Sequence, residues 1–188
     1  GGTLDGDRCS GHLPGGEGPA GAPGFVHTCA LLSGDRVKCW GANLSAELGL
    51  GDAVDRGDQS NEMGAKLPTV DLGKGRRVTA LATGWSHTCA LLDDASVKCW
   101  GYNSTGQLGV ASPASGPAIG DEPSEMGDNL MTVNLGAGAK VSKLAAGVNH
   151  SCAVLSDGGV KCWGWNELGQ LGQGDAVSRG DDPSAPSA

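Results

Sequence analysis

Basic side chains are scarce in this chain: 13 Lys and Arg stand against 21 Asp and Glu, a formal net charge of −8 over 188 residues. Nucleic-acid affinity comes mostly from Lys and Arg meeting phosphates, so no nucleic-acid partner is expected. An anionic membrane surface is disfavoured for the same reason. Long apolar runs are missing as well. No stretch approaches the roughly 20 apolar residues of a spanning helix, so direct membrane insertion is not expected. Aliphatic residues are few: Leu, Ile, Val and Phe together number 34. Composition of that kind resembles disordered chains. Five Trp and seven Cys argue otherwise, because they recur in a strict pattern. With 34 Gly and 9 Pro, the chain should be poor in helix, rich in turns, and held by something besides a large aliphatic core. Its length suits one ordinary domain. It begins Gly1-Gly2 rather than Met, the expectation for a processed product or a fragment.

What is present is repetition. His27-Thr28-Cys29-Ala30-Leu31-Leu32 leads to Val37-Lys38-Cys39-Trp40-Gly41. His87-Thr88-Cys89-Ala90-Leu91-Leu92 leads to Val97-Lys98-Cys99-Trp100-Gly101, and His150-Ser151-Cys152-Ala153-Val154-Leu155 to Val160-Lys161-Cys162-Trp163-Gly164. The histidines are 60 and then 63 residues apart. Gly24, Gly84 and Gly147 precede them, and Asn43, Asn103 and Asn166 follow, each with a Leu-Gly beyond. Between units, Glu62-Met63-Gly64 answers Glu125-Met126-Gly127, and the segment from Leu67 to Gly73 answers that from Leu130 to Gly136. These pieces are short, apolar and bounded by turn residues, which predicts about four strands per repeat rather than helices. The expected units are 24–83, 84–146 and 147–188, the last incomplete, after an irregular segment 1–23.

Each His-to-Trp stretch folds on paper as a hairpin about Gly34, Asp94 or Asp157. In the second unit Cys89 then faces Cys99, Ala90 faces Lys98 and Leu91 faces Val97. Directly opposed strand residues have Cβ atoms near the separation that a disulfide needs. The pattern Gly-x-x-His-x-Cys-Ala-Leu, Val-Lys-Cys-Trp-Gly and Asn-x-x-Gly-Gln-Leu-Gly resembles the regulator of chromosome condensation repeat. It is most similar to a cysteine-bearing, secreted-type variant, over residues 24–188. The resemblance implies an all-β fold, a partial or open β-propeller of about three blades. Family propellers are typically seven-bladed, so the chain is expected to be cut mid-repeat, to complete a ring with another copy, or to pack an open edge on a partner.

The paired cysteines predict disulfides Cys29–Cys39, Cys89–Cys99 and Cys152–Cys162, hence an oxidising, extracytoplasmic compartment. Reduced, buried cysteines are the alternative. Cys9 has no partner in the pattern. A metal trio such as His87, Cys89 and Cys99 finds no consistent fourth ligand for zinc, so no metal and no cofactor are expected. The family analogy gives the histidine a structural hydrogen bond within its blade. The acidic loops Asp52–Asp58 and Asp175–Asp181 read as solvated turns rather than calcium sites. Each spells Arg-Gly-Asp, so Asp55, Asp58 and Asp181 are candidate partner contacts. Trp40, Trp100 and Trp163 read as packing. Trp85, Tyr102 and Trp165 are candidate interface anchors. Asn43 and Asn103 begin sequons, which a eukaryotic secretory route would offer for glycans.

Polar features that repeat three times do not make a unique catalytic constellation, so no enzyme is expected. The function expected is a non-catalytic protein-interaction module, a structural or accessory subunit of a larger extracytoplasmic assembly. The resemblance also allows a secreted inhibitor of the β-lactamase-inhibitor propeller type. Nucleotide exchange on a small GTPase is opposed by the acidity and the paired cysteines.

Overall fold

The computed structural model describes residues 21–113 and 116–181; the segment 1–20 and Cys9 fall outside it. Ten strands form three antiparallel sheets. The first sheet orders β1 (Gly21–Pro23), β2 (His27–Leu32) and β3 (Arg36–Gly41). The second orders β4 (Val78–Thr83), β5 (His87–Leu92), β6 (Val97–Tyr102) and the short β7 (Ala118–Ile119). The third orders β8 (Val141–Ala146), β9 (His150–Leu155) and β10 (Val160–Gly164). The architecture is all-β, as expected, and each sheet is one blade. Gly21–Pro23 is a strand, not part of an irregular segment, because its backbone pairs with Thr28–Ala30. Four strands occur only in the second sheet. The Leu67–Gly73 and Leu130–Gly136 stretches are not regular strands. They run extended along the blade edge, and Val70 and Val133 donate to the Val37 and Val97 carbonyls at 2.9 Å each. Buried lysines hold these returns. Lys38 Nζ donates to Gly64 O at 2.6 Å, and Lys98 Nζ to Leu72 O and Gly127 O at 3.0 and 2.8 Å.

The central hairpins have the register read from the sequence. Cys29 opposes Cys39, Cys89 opposes Cys99 and Cys152 opposes Cys162. Each pair brings its Cα atoms to 4.1 Å and its sulfurs to bonding distance. Beyond each hairpin a buried asparagine organises the next loop. Its Oδ1 accepts from the backbone five residues on, in Leu48, Leu108 and Leu171, at 2.8–2.9 Å. Its Nδ2 donates back to Asp52 O, Val110 O or Asp175 O.

The first strands β1, β4 and β8 lie side by side on the inner edge, and β3, β6 and β10 stand further out. Core side chains fill the gaps between blades, with Trp100 and Trp163 wholly buried. Trp40, in the first blade, is half-buried because no earlier blade lies over it among the described residues. Two glycine positions explain how tightly this closes. Gly101 has φ +103°, and a Cβ there would meet Ser86 O at 2.6 Å. Gly84 needs empty space: a Cβ would stand 2.1 Å from the His87 ring and 2.6 Å from Gly147 O in the next blade. Gly84→Ala should therefore cost about 1–3 kcal/mol by overpacking. Gly21→Ala, with nothing within 4 Å, should be near neutral. Urea midpoints of the two variants check this, and equal midpoints would contradict it.

Candidate protein-docking face

At one end of every blade the inner strand stops, the second strand starts and the third stops. The tight Gly-x-x-His turn sits there and pushes its second residue outward. That residue is Phe25, Trp85 or Val148. All three are exposed, at 76%, 45% and 51%. Single exposed apolar residues are common, but a contiguous set at one structural position marks an interaction surface. The Phe25 and Trp85 rings lie 4.9 Å apart between centroids, tilted by 56°. With Pro23, Thr83, Ala146 and the three turn glycines they line an open cleft of about 380 Å³. We refer to this end as the mouth.

Backbone and side-chain bonds fix the mouth residues relative to one another. Phe25 N–H donates to Gly84 O at 3.3 Å, and Trp85 N–H to Val148 O at 3.1 Å. Behind them runs a polar lock between blades. Thr88 Oγ1 donates to Glu47 O at 3.2 Å, so it accepts from His27 Nε2 at 2.8 Å. Trp100 Nε1 donates to the same Glu47 carbonyl at 2.9 Å. The next interface repeats this: His87 Nε2 to Ser151 Oγ at 2.9 Å, Ser151 Oγ to Gln107 O at 3.0 Å, and Trp163 Nε1 to Gln107 O at 3.0 Å. The histidine bond therefore crosses to the neighbouring blade rather than staying within its own, as the family analogy suggested. The reason is local: the tight glycine turn aims the ring across the gap.

Burial pushes His27 down to about 4 and His87 to about 3, so both rings are neutral donors at pH 7. The other sequence-singled residues divide. The sulfurs of Cys89 and Cys99 are at bonding distance, and His87 is bonded to Ser151. Tyr102 and Trp165 are half-buried at the mouth end, where their N–H groups donate to Ser86 O and Asn149 O. Asp55 Oδ1 accepts from Asn43 N at 2.8 Å, which makes it a loop brace. Asp58 and Asp181 are exposed, each two residues past the arginine that pairs with the end of the third strand. Asp52 pairs with Arg56, and Asp175 with Arg179, so these loops satisfy their own carboxylates. Asn43 and Asn103 are buried at 0% and 1% exposure with their Nδ2 groups engaged, so neither sequon presents a glycan acceptor. Phe25 and Val148 were not singled out in the sequence. The signal was their alignment with Trp85, two residues ahead of the histidine.

The blades are those of a repeat propeller, and the comparisons name the repeat. The regulator of chromosome condensation (RCC1) repeat family matches residues 78–107 and 141–170. The ultraviolet-B receptor UVR8 of Arabidopsis thaliana is 30% identical over 204 residues, 83% of this chain and 43% of that protein. Protein pim1 of Schizosaccharomyces pombe is 33% identical over 155 residues, 81% of this chain and 28% of its own length. The crystal structure of Prp20p from Saccharomyces cerevisiae superposes with a TM-score of 0.66 at 22% identity, covering 87% of this chain and 37% of that one. The chain thus carries RCC1 repeats and folds as part of an RCC1-type propeller. It spans less than half the length of these relatives.

The histidine pKa shifts set a pH dependence. Both folded pKa values lie below the ordinary 6.5, so the unfolded chain takes up protons first. Stability is full above about pH 6.5 and falls as the pH drops toward 4, by about 1.4 kcal/mol per pH unit for each histidine. Urea denaturation across that range checks the slope. A His27→Asn/His87→Asn variant should flatten it, and an unchanged slope in that variant would contradict the assignment.

Proposed function

We propose that this chain is a non-catalytic protein-interaction module that docks partners through the mouth. The observation that carries the reading is the line of Phe25, Trp85 and Val148, exposed and apolar at the same place in successive blades. Large aromatic anchors in a rigid frame are what protein interfaces use for most of their binding energy. Here the frame is rigid because the bonds between blades run directly behind the anchors. Tyr102 and Trp165 stand at the same end and would widen the contact. Asp58 and Asp181 would lie at its rim.

The setting proposed is an assembly outside the cytoplasm. Three cysteine pairs at disulfide distance fit an oxidising compartment. Among the described residues no helix is long and apolar enough to cross a membrane. The first and third blades leave their outer faces uncovered by any described residue, which suits a structural or accessory subunit whose neighbours are further blades or another copy.

The test is isolation of the native, unreduced complex from its source, with the wild-type chain and a Phe25→Ala/Trp85→Ala variant compared by native mass spectrometry. The wild type should carry a second polypeptide that the variant loses, while the two share one unfolding midpoint. A partner retained by the variant would place docking elsewhere and overturn the proposal.

A further inference from the structure

We infer that the mouth selects a cationic partner: a polypeptide segment that sets an apolar tip into the cleft and surrounds it with Lys or Arg. The inference rests on the docking reading above and adds the chemistry of what docks. It comes from how the acidic excess of the described residues, 17 Asp and Glu against 12 Lys and Arg, is distributed along the blade axis.

The outer loops return to the mouth end. Arg56 bridges Gly41 at the end of β3, Arg179 bridges Gly164 at the end of β10, and β7 pairs with Gly101 and Tyr102 at the end of β6. The loops closed by these pairings hold Asp52, Asp55, Glu167 and Asp175 at this end, and Asp58, Asp121, Glu122 and Asp181 follow within three residues of the pairings. Its two arginines do not offset them, because Arg56 is bound to Asp52 at 2.7 Å and Arg179 to Asp175 at 2.6 Å. The opposite end carries the hairpin turns, and there acid and base balance. Arg76 pairs with Asp94 at 2.6 Å, Arg77 with Asp35 at 2.8 Å, and Lys140 Nζ donates to Asp94 O at 2.9 Å.

The excess negative charge of the described residues is therefore gathered around the only end that presents the apolar line. An uncharged anchor within an acidic surround has a definite complement. An anionic partner would be repelled before its apolar tip reached Trp85, and a cationic one would be steered toward it. The apolar contact supplies affinity and the acidic surround supplies selection. Carboxylates in loops that brace themselves, such as Glu62 accepting from Gly57 and Gln59, keep that surround in place without spending the charge.

The experiment is selection of the intact, disulfide-bonded chain against a random-peptide display library. Selected peptides should combine an aromatic or aliphatic residue with an excess of Lys and Arg. Binding should weaken about tenfold or more in Phe25→Ala/Trp85→Ala. It should weaken by a smaller factor in Glu122→Gln/Glu167→Gln, with a shallower salt dependence. Peptides that need Trp85 but show no cationic excess would overturn the charge inference and leave the docking reading standing. The absence of any Trp85-dependent binder would overturn both.

Discussion

A shared carbonyl oxygen sets how one blade sits on the next. Glu47 O accepts from the Thr88 hydroxyl and the Trp100 indole, and Gln107 O from Ser151 and Trp163. In each case the histidine of the preceding blade completes the chain by donating to the hydroxyl. Every polar atom in this line is buried, where an unmet donor costs about 1–3 kcal/mol. The packing of the blades is therefore tied to the arrangement that makes these histidine Nε2, hydroxyl, indole and carbonyl bonds together. Neutral histidine is part of that arrangement, since a charged ring would stand in the gap without a counter-ion.

The rest of the molecule follows from that constraint. A line of Phe25, Trp85 and Val148 exists as a surface only because successive blades hold a fixed offset. The modest aliphatic content becomes understandable as well. Each blade needs little core of its own, because its hairpin is cross-linked by cysteines and the loop beyond is tied by a buried asparagine, to which the first two blades add a buried lysine. Much of the apolar burial is instead between blades, around Trp100 and Trp163, which is how repeat proteins stabilise one another's units.

Much of this was legible in the sequence. Cys89 opposite Cys99 followed from one turn position and strand alternation, because both are local. The repeat itself named the fold. Less visible were features that depend on a neighbour 60 residues away. The bond from His27 to Thr88 looked local because the histidine recurs beside its own hairpin, whereas the turn directs it outward. The sequons at Asn43 and Asn103 say nothing about burial, which only the folded loop reveals. The bond from the Asn43 backbone to Asp55 was hidden too, because a loop aspartate reveals its backbone partner only once the loop is folded. Phe25 and Val148 were hidden by their difference in type from Trp85, although they share its place.

The most direct test of the account is a double-mutant cycle on Thr88→Val and Trp100→Phe, followed by urea denaturation. Both side chains donate to Glu47 O from different strands of one blade. If the shared carbonyl organises the interface, the two losses should be non-additive by about 1–2 kcal/mol. Strict additivity would show that the blades are held by apolar packing alone, and would contradict the lock from which the mouth derives its shape.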